Sequence, residues 1–271
     1  MNPEVKIATL DLETNGFKGR SVLSASSIIF DDQGRIIDFF NRFYFPIEKL
    51  DLKAVQIHGL NYNRIHWLRT VERYPEYFKD DISALSLFWD QHCVDGIAVH
   101  NLSFDTSFLP DNIRTERKWW CSMLGLTGFC SIPGGRNGYK WPRLEEAKAL
   151  TAKKLKAPSA VNYAETSMPG RMPHTSLSDC FDLYSISSRI LFNKPGFLDF
   201  KHLPPGCNPE KRVKVYSRTG SCGLPDRFIV ETLKYSLSLA RISTSAKQTP
   251  GIQTALNDLN QFSVKQLNVP F

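Results

Sequence analysis

The first 45 residues carry three apolar runs. Residues 4–10 (EVKIATL), 22–30 (VLSASSIIF) and 35–45 (RIIDFFNRFYF) each read as a strand. The last two are joined by DDQG, a hairpin-type turn, so the chain is expected to open with an antiparallel three-strand unit. The pattern then changes. Residues 80–93 (DDISALSLFWDQHC) are apolar at 82, 85, 88 and 89 behind an aspartate cap, which predicts a helix. GIAVHN, 96–101, reads as a short buried strand, and SFDTSFL after it begins another helix. Further helices are expected over 143–155 and over 176–192, the second apolar around 177, 181, 184, 186, 190 and 191. Antiparallel strands followed by strands alternating with helices predict an α/β fold, a mixed sheet covered by helices.

Residues 192–211 hold four prolines and two glycines and read as a linker or irregular segment. Beyond it, 225–242 predicts a helix with Pro225 and Asp226 at its start and 226, 229, 230, 233, 237 and 240 on one face. A weaker helix is expected near 251–262. The chain therefore divides into a first domain, 1–195, and a small, mainly helical C-terminal extension, 196–271. There is no internal repeat and no low-complexity tract.

Composition narrows the class. The 271 residues are 42% hydrophobic and 23% charged, as in soluble globular proteins. MNPEVKIATLDLE has neither the basic start nor the apolar core of a signal peptide, and no run of eighteen apolar residues occurs, so no membrane association is expected. The six cysteines lie far apart with no CxxC, which predicts reduced thiols in a cytoplasmic protein. The net charge is +7, and +5 of it falls in 196–271. That excess suits a polyanionic partner.

The stretch TLDLETNGF, 9–17, places Asp11 and Glu13 two apart at the end of an apolar run. In a strand they share one face. They are either two solvated acids at a strand end or a pair held together by a hard divalent cation, which takes oxygen ligands. Two further acids stand at helix starts, Asp105 in VHNLSFDTSFL and Asp179 in HTSLSDC, with His174 leading the second. Taken singly, each acid serves equally well to complement a helix dipole.

Together, LDLETNG, HNLSFD and HTSLSD resemble the three motifs of the DEDDh 3′–5′ exonucleases, the DnaQ-like family with a ribonuclease H-like fold. IHGL (57–60), CSM (121–123) and KWPRLEEA (140–147) fall at intervals similar to smaller family features, and HTSLSDC and CSM look closest to the exonuclease X branch. The resemblance covers about residues 4–193. It implies a mixed five-stranded sheet flanked by helices and a two-metal-ion hydrolysis of phosphodiesters using two Mg²⁺ or Mn²⁺ ions. It further implies that Asp11 bridges both ions, that Glu13 and Asp179 hold the ion that activates water, that Asp105 serves the second, and that His174 is the general base.

The resemblance also places Thr14, Asn15, Gly16, Phe17, His58, His100 and Phe104 around the 3′-terminal nucleotide, Phe17 as an aromatic wedge that stacks on the last base. Ser24 stands where many relatives carry a glutamate, and Asn15 replaces a common threonine. The implied activity is 3′–5′ exonucleolytic release of nucleoside monophosphates from DNA, single strands preferred. The alternatives are an exoribonuclease of the same family, acting on RNA, and a nuclease-like binding module. In the C-terminal extension, self-association is one expected role. QLNVPF, Gln266 to Phe271, is similar to peptides that bind a bacterial sliding clamp, which makes such a clamp a candidate partner.

Overall fold

The computed structural model describes residues 5–17, 20–69, 73–134, 138–168, 175–204 and 238–243. Its centre is a sheet of strands β1 (Lys6–Thr14), β2 (Val22–Asp31), β3 (Ile36–Phe43), β4 (Gly96–Val99), β5 (Lys118–Cys121) and β6 (Lys201–His202), in the order β3-β2-β1-β4-β5-β6. Strands β1 to β3 are antiparallel, β4 and β5 run parallel to β1, and β6 returns antiparallel to β5. This is the mixed, helix-flanked sheet that the ribonuclease H-like resemblance implies, with one correction. The sheet has six strands, not five.

The helices are α1 (Leu52–His58), α2 (Tyr62–Leu68), α3 (Ile82–Gln91), α4 (Leu102–Asp105), α5 (Asp111–Glu116), α6 (Ser122–Gly125), α7 (Thr127–Cys130), α8 (Leu144–Lys154), α9 (Ser159–Ser167) and α10 (Ser176–Asn193). Helix α10 is the long one. It is buried from Ser176 to Ile190 and lies across one sheet face, with Leu177, Phe181, Tyr184 and Ile186 in a core shared with Ile28 and Phe30 of β2 and Leu144 and Ala147 of α8. On the other face Leu10, Leu12 and Ile29 pack with Leu85 and Trp89 of α3. Strand β1 thus alternates between two cores, and its face toward α10 carries Thr9, Asp11 and Glu13.

The sixth strand comes from the segment expected to be a linker. Leu198 is buried, and the Phe200 ring packs over Gly96, where an added Cβ would lie 2.4 Å from a ring carbon. Lys201 and His202 then pair with Trp119 and Lys118. Part of the chain beyond 195 therefore belongs to the sheet. Residues 238–243 are helical and also belong to the first core, which takes in Leu239 and Ile242. Ala240, on the face expected of the 225–242 helix, is buried. The rest of that helix, the 251–262 element and the QLNVPF peptide lie outside the described residues.

Among the described residues, Cys93, Cys121, Cys130 and Cys180 are free cysteines; Cys207 and Cys222 lie outside them. No helix among the described residues is long and apolar enough to cross a membrane.

Candidate metal centre

Strand β1 is central and carries Asp11 and Glu13 toward the C-terminal ends of the parallel strands, the usual location of ligand sites in open α/β sheets. Beside it, β4 pairs only as far as Leu10 opposite Val99. The chain then leaves the sheet through Asn101, whose φ of 75° is the left-handed conformation that asparagine tolerates, and enters α4. Past the end of that ladder the Leu12 N–H would lose a partner. Asp105 supplies it, its Oδ1 accepting from Leu12 N at 3.1 Å. A carboxylate from α4 is thereby set against the strand between the two acids of β1.

The fourth acid comes from α10. Thr175 caps this helix, its hydroxyl accepting from the Ser178 N–H at 3.2 Å, and Asp179 sits buried in the first turn. Carboxylate oxygens of Asp11, Glu13 and Asp179 lie within 4.8 Å of one another. A hard cation with oxygen ligands at about 2.0–2.6 Å reaches all three, so the donor set fits the divalent ion implied by the resemblance. Nearby, burial pushes the Cys180 thiol well above its ordinary pKa, and the negative charges of Asp11, Asp179 and Asp105 push it further, against a hydrogen bond with Thr9 that acts the other way. Three separate elements thus bring their acids to one place. His174, the proposed base, lies outside the described residues.

The turn after β1 is braced from within. Asn15 is fully buried: its side-chain amide donates to Glu48 Oε1 at 2.8 Å and to the Lys49 carbonyl at 3.0 Å, and its Oδ1 accepts from the Asp51 N–H at 2.7 Å. Glu48 also accepts from the Ser21 N–H at 2.9 Å and the Ser21 hydroxyl at 2.8 Å. Burial alone would raise the Glu48 carboxyl, but these bonds from Ser21 and Asn15 outweigh it and hold it below the usual range. Thr14 donates through Oγ1 to the Gly16 carbonyl at 2.7 Å. Gly16 has a φ of +104°, which a side chain rarely adopts.

His58 is 2% exposed. Its Nδ1 accepts from the Leu60 N–H at 3.0 Å, so the ring proton of the neutral form sits on Nε2, which faces the Thr14 carbonyl at 3.2 Å. Asn15 and His58 therefore act on the turn from inside. Phe17 is different: at 61% exposed it stands out at the end of the turn. His100 is half-buried and paired through Nδ1 with Ser122 Oγ at 2.8 Å, and Phe104 is half-buried with its ring edge-on to Phe108.

Sequence reasoning did not single out Glu48, Ser26 or Ser176, and it noted Ser24 only as a departure. The available signal was the run of small polar residues in VLSASS, on a strand that turns out to be buried throughout.

No protein-family model matches the chain, and no curated protein sequence matches it. Among solved structures, it is similar to exonuclease X in complex with 5′ overhanging duplex DNA. The identity is 19% and the TM-score 0.48, over 70% of this chain and 93% of that one. It is also similar to exonuclease I from Methylocaldum szegediense (17% identity, TM-score 0.47) and to E. coli exonuclease I in complex with a dA16 oligonucleotide (14%, 0.47). Each of these matches covers 72% of this chain but spans only 42% of the exonuclease I chain.

Proposed function

We propose that this protein is a metal-dependent 3′–5′ exonuclease that releases nucleoside monophosphates from the 3′ ends of DNA, single strands preferred. The observation that carries the reading is the convergence of Asp11, Glu13 and Asp179 oxygens within 4.8 Å, with Asp105 fastened to the strand between the first two. Three carboxylates so close are mutually repulsive, and divalent cations are the ordinary remedy.

Asp11, Glu13 and Asp179 are the residues that would hold such ions, with Asp105 serving the second. When bound, two Mg²⁺ or Mn²⁺ ions supply Lewis acidity, lowering the pKa of water and offsetting charge on the phosphate. The remaining work falls to the chain. His174 takes the proton of the attacking water on a ring nitrogen, a task suited to a side chain with an unperturbed pKa of about 6.5. Thr14 and Gly16 shape the turn that receives the terminal nucleotide, Asn15 and His58 keep that turn rigid, and Phe17 stacks on the last base. His100 and Phe104 flank the same nucleotide.

The test is cleavage of a single-stranded DNA oligonucleotide with Mg²⁺ or Mn²⁺, with EDTA, and with Asp11→Ala. The reading expects turnover that disappears with EDTA and in Asp11→Ala, and a slower but metal-binding His174→Ala. Undiminished cleavage by Asp11→Ala would overturn it.

A further inference from the structure

Strands β1 and β2 are in a register that sets Ser26 directly opposite Asp11 and Ser24 opposite Glu13. Residues directly opposite in an antiparallel pair project to the same face, so two hydroxyls stand beside the two acids. Both meet Ser176, the first residue of α10: Ser24 Oγ is in close contact with Ser176 Oγ, and Ser26 Oγ lies 2.7 Å from it. Ser26 Oγ also donates to Asn41 Oδ1 of β3 at 2.9 Å.

A hydroxyl has one proton to give. Ser26 spends its proton on Asn41, so it accepts from Ser176, and Ser176 in turn accepts from Ser24. The result is a directed chain, Ser24 to Ser176 to Ser26 to Asn41, closed off from water, since all three serines are 1% exposed or less. One turn further along α10, Cys180 donates from Sγ to the Ser26 carbonyl at 2.9 Å. The first turn of α10 is therefore keyed to β2 at positions 176 and 180, and Asp179 lies between the two keys.

We infer that Ser176 is a positioning residue for the metal centre: with Ser24 and Ser26 it fixes the start of α10 against β2, so that Asp179 meets Asp11 and Glu13. An apolar contact at this point would let the helix start slide or rotate, because dispersion has no preferred direction. Hydrogen bonds to two hydroxyls in strand register do not allow it. A one-residue slip of β2 would turn both serines to the other face and break the chain.

The inference rests on the carboxylate cluster being a metal centre, and the test separates the two. Mn²⁺ affinity is measured by calorimetry on the full chain for the wild type, Asp11→Ala, Ser176→Ala, the Ser24→Ala/Ser26→Ala double variant and the triple variant, with thermal unfolding alongside. If the wild type takes up no Mn²⁺, or Asp11→Ala binds it as well, the reading of the site fails. Given Asp11-dependent binding, Ser176→Ala should bind Mn²⁺ about three- to tenfold more weakly while remaining folded. The triple variant should lose no more than the double. Unchanged affinity in Ser176→Ala, or losses that add fully in the triple variant, would overturn the inference. Should Ser176→Ala fail to fold, the double variant tests the same contact from the strand side: weaker Mn²⁺ binding supports the inference, and wild-type affinity overturns it.

Discussion

Asp105 and Leu12 are 93 residues apart in the chain, and the carboxylate of the first accepts a hydrogen bond from the backbone N–H of the second at 3.1 Å. The bond completes a sheet ladder where β4 has run out, and it sets a fourth acid against β1 between Asp11 and Glu13. Structure and chemistry can therefore be separated at one position. Asp105→Asn keeps an acceptor for Leu12 and should unfold close to the wild type. Asp105→Ala leaves a buried donor unsatisfied and should cost about 1–3 kcal/mol in denaturant unfolding. Both should lose cleavage at least as severely as the roughly 10–100-fold typical of disturbing a metal ligand's support.

Gly16 should not tolerate a side chain. Its φ of +104° lies in the left-handed region, and an added Cβ would sit 3.2 Å from Asp51 Oδ2. Gly16→Ala is expected to lose about 1–3 kcal/mol of stability, measured by urea unfolding, and to weaken binding of a DNA oligonucleotide by shifting the turn that follows Glu13.

The acid limb of the stability profile should be traceable to a named carboxylate. Burial alone would raise Glu146, but bonds from Lys140 Nζ at 2.6 Å, the Arg143 N–H at 2.9 Å and the Arg143 guanidinium at 3.3 Å bring it down to about 2. Because its pKa is lowered in the folded state, its contribution is present above its ordinary pKa of 4.5 and is lost as pH falls from there toward 2. Glu146→Gln should flatten that part of the curve, as followed by thermal unfolding against pH. A curve of unchanged slope would contradict the assignment.

Phe200 should matter to stability although it lies outside the region of family resemblance. Its ring covers Gly96 and precedes the strand that pairs with β5. Phe200→Ala should cost about 1.5–3 kcal/mol. Truncation after residue 195 should cost more than truncation after 204, because only the first removes Leu198, Phe200 and β6.

The acids were legible because period-two spacing on a strand and their joint order along the chain are properties of sequence. Asp11 and Glu13 fall where alternation puts them, and Asp105 and Asp179 fall in the first turns of α4 and α10, Asp105 as the last residue of the short α4. What was not legible depends on tertiary partners. Strand β6 is two residues long and exposed, set among prolines and glycines, and it exists because β5 offers an edge. Helices α1 and α9 are short and bury few residues each, so they leave little periodicity to read. The internal roles of Asn15 and His58 come from the 48–51 loop and the Thr14 carbonyl, groups that sequence spacing does not place beside them. The match of Ser24 and Ser26 to Glu13 and Asp11 is a matter of register, fixed only when β1 and β2 pair.

The most direct measurement of the central claim is a time course on single-stranded DNA labelled at the 3′ end or at the 5′ end, with Mg²⁺, with EDTA and with Asp11→Ala, and with RNA of the same sequence beside it. Early release of the 3′ mononucleotide from DNA, with a 5′-labelled ladder that shortens stepwise, and loss of both with EDTA and in Asp11→Ala, is the predicted result. Release from the 5′ end, internal cuts, cleavage of RNA alone, or cleavage that survives Asp11→Ala would contradict it.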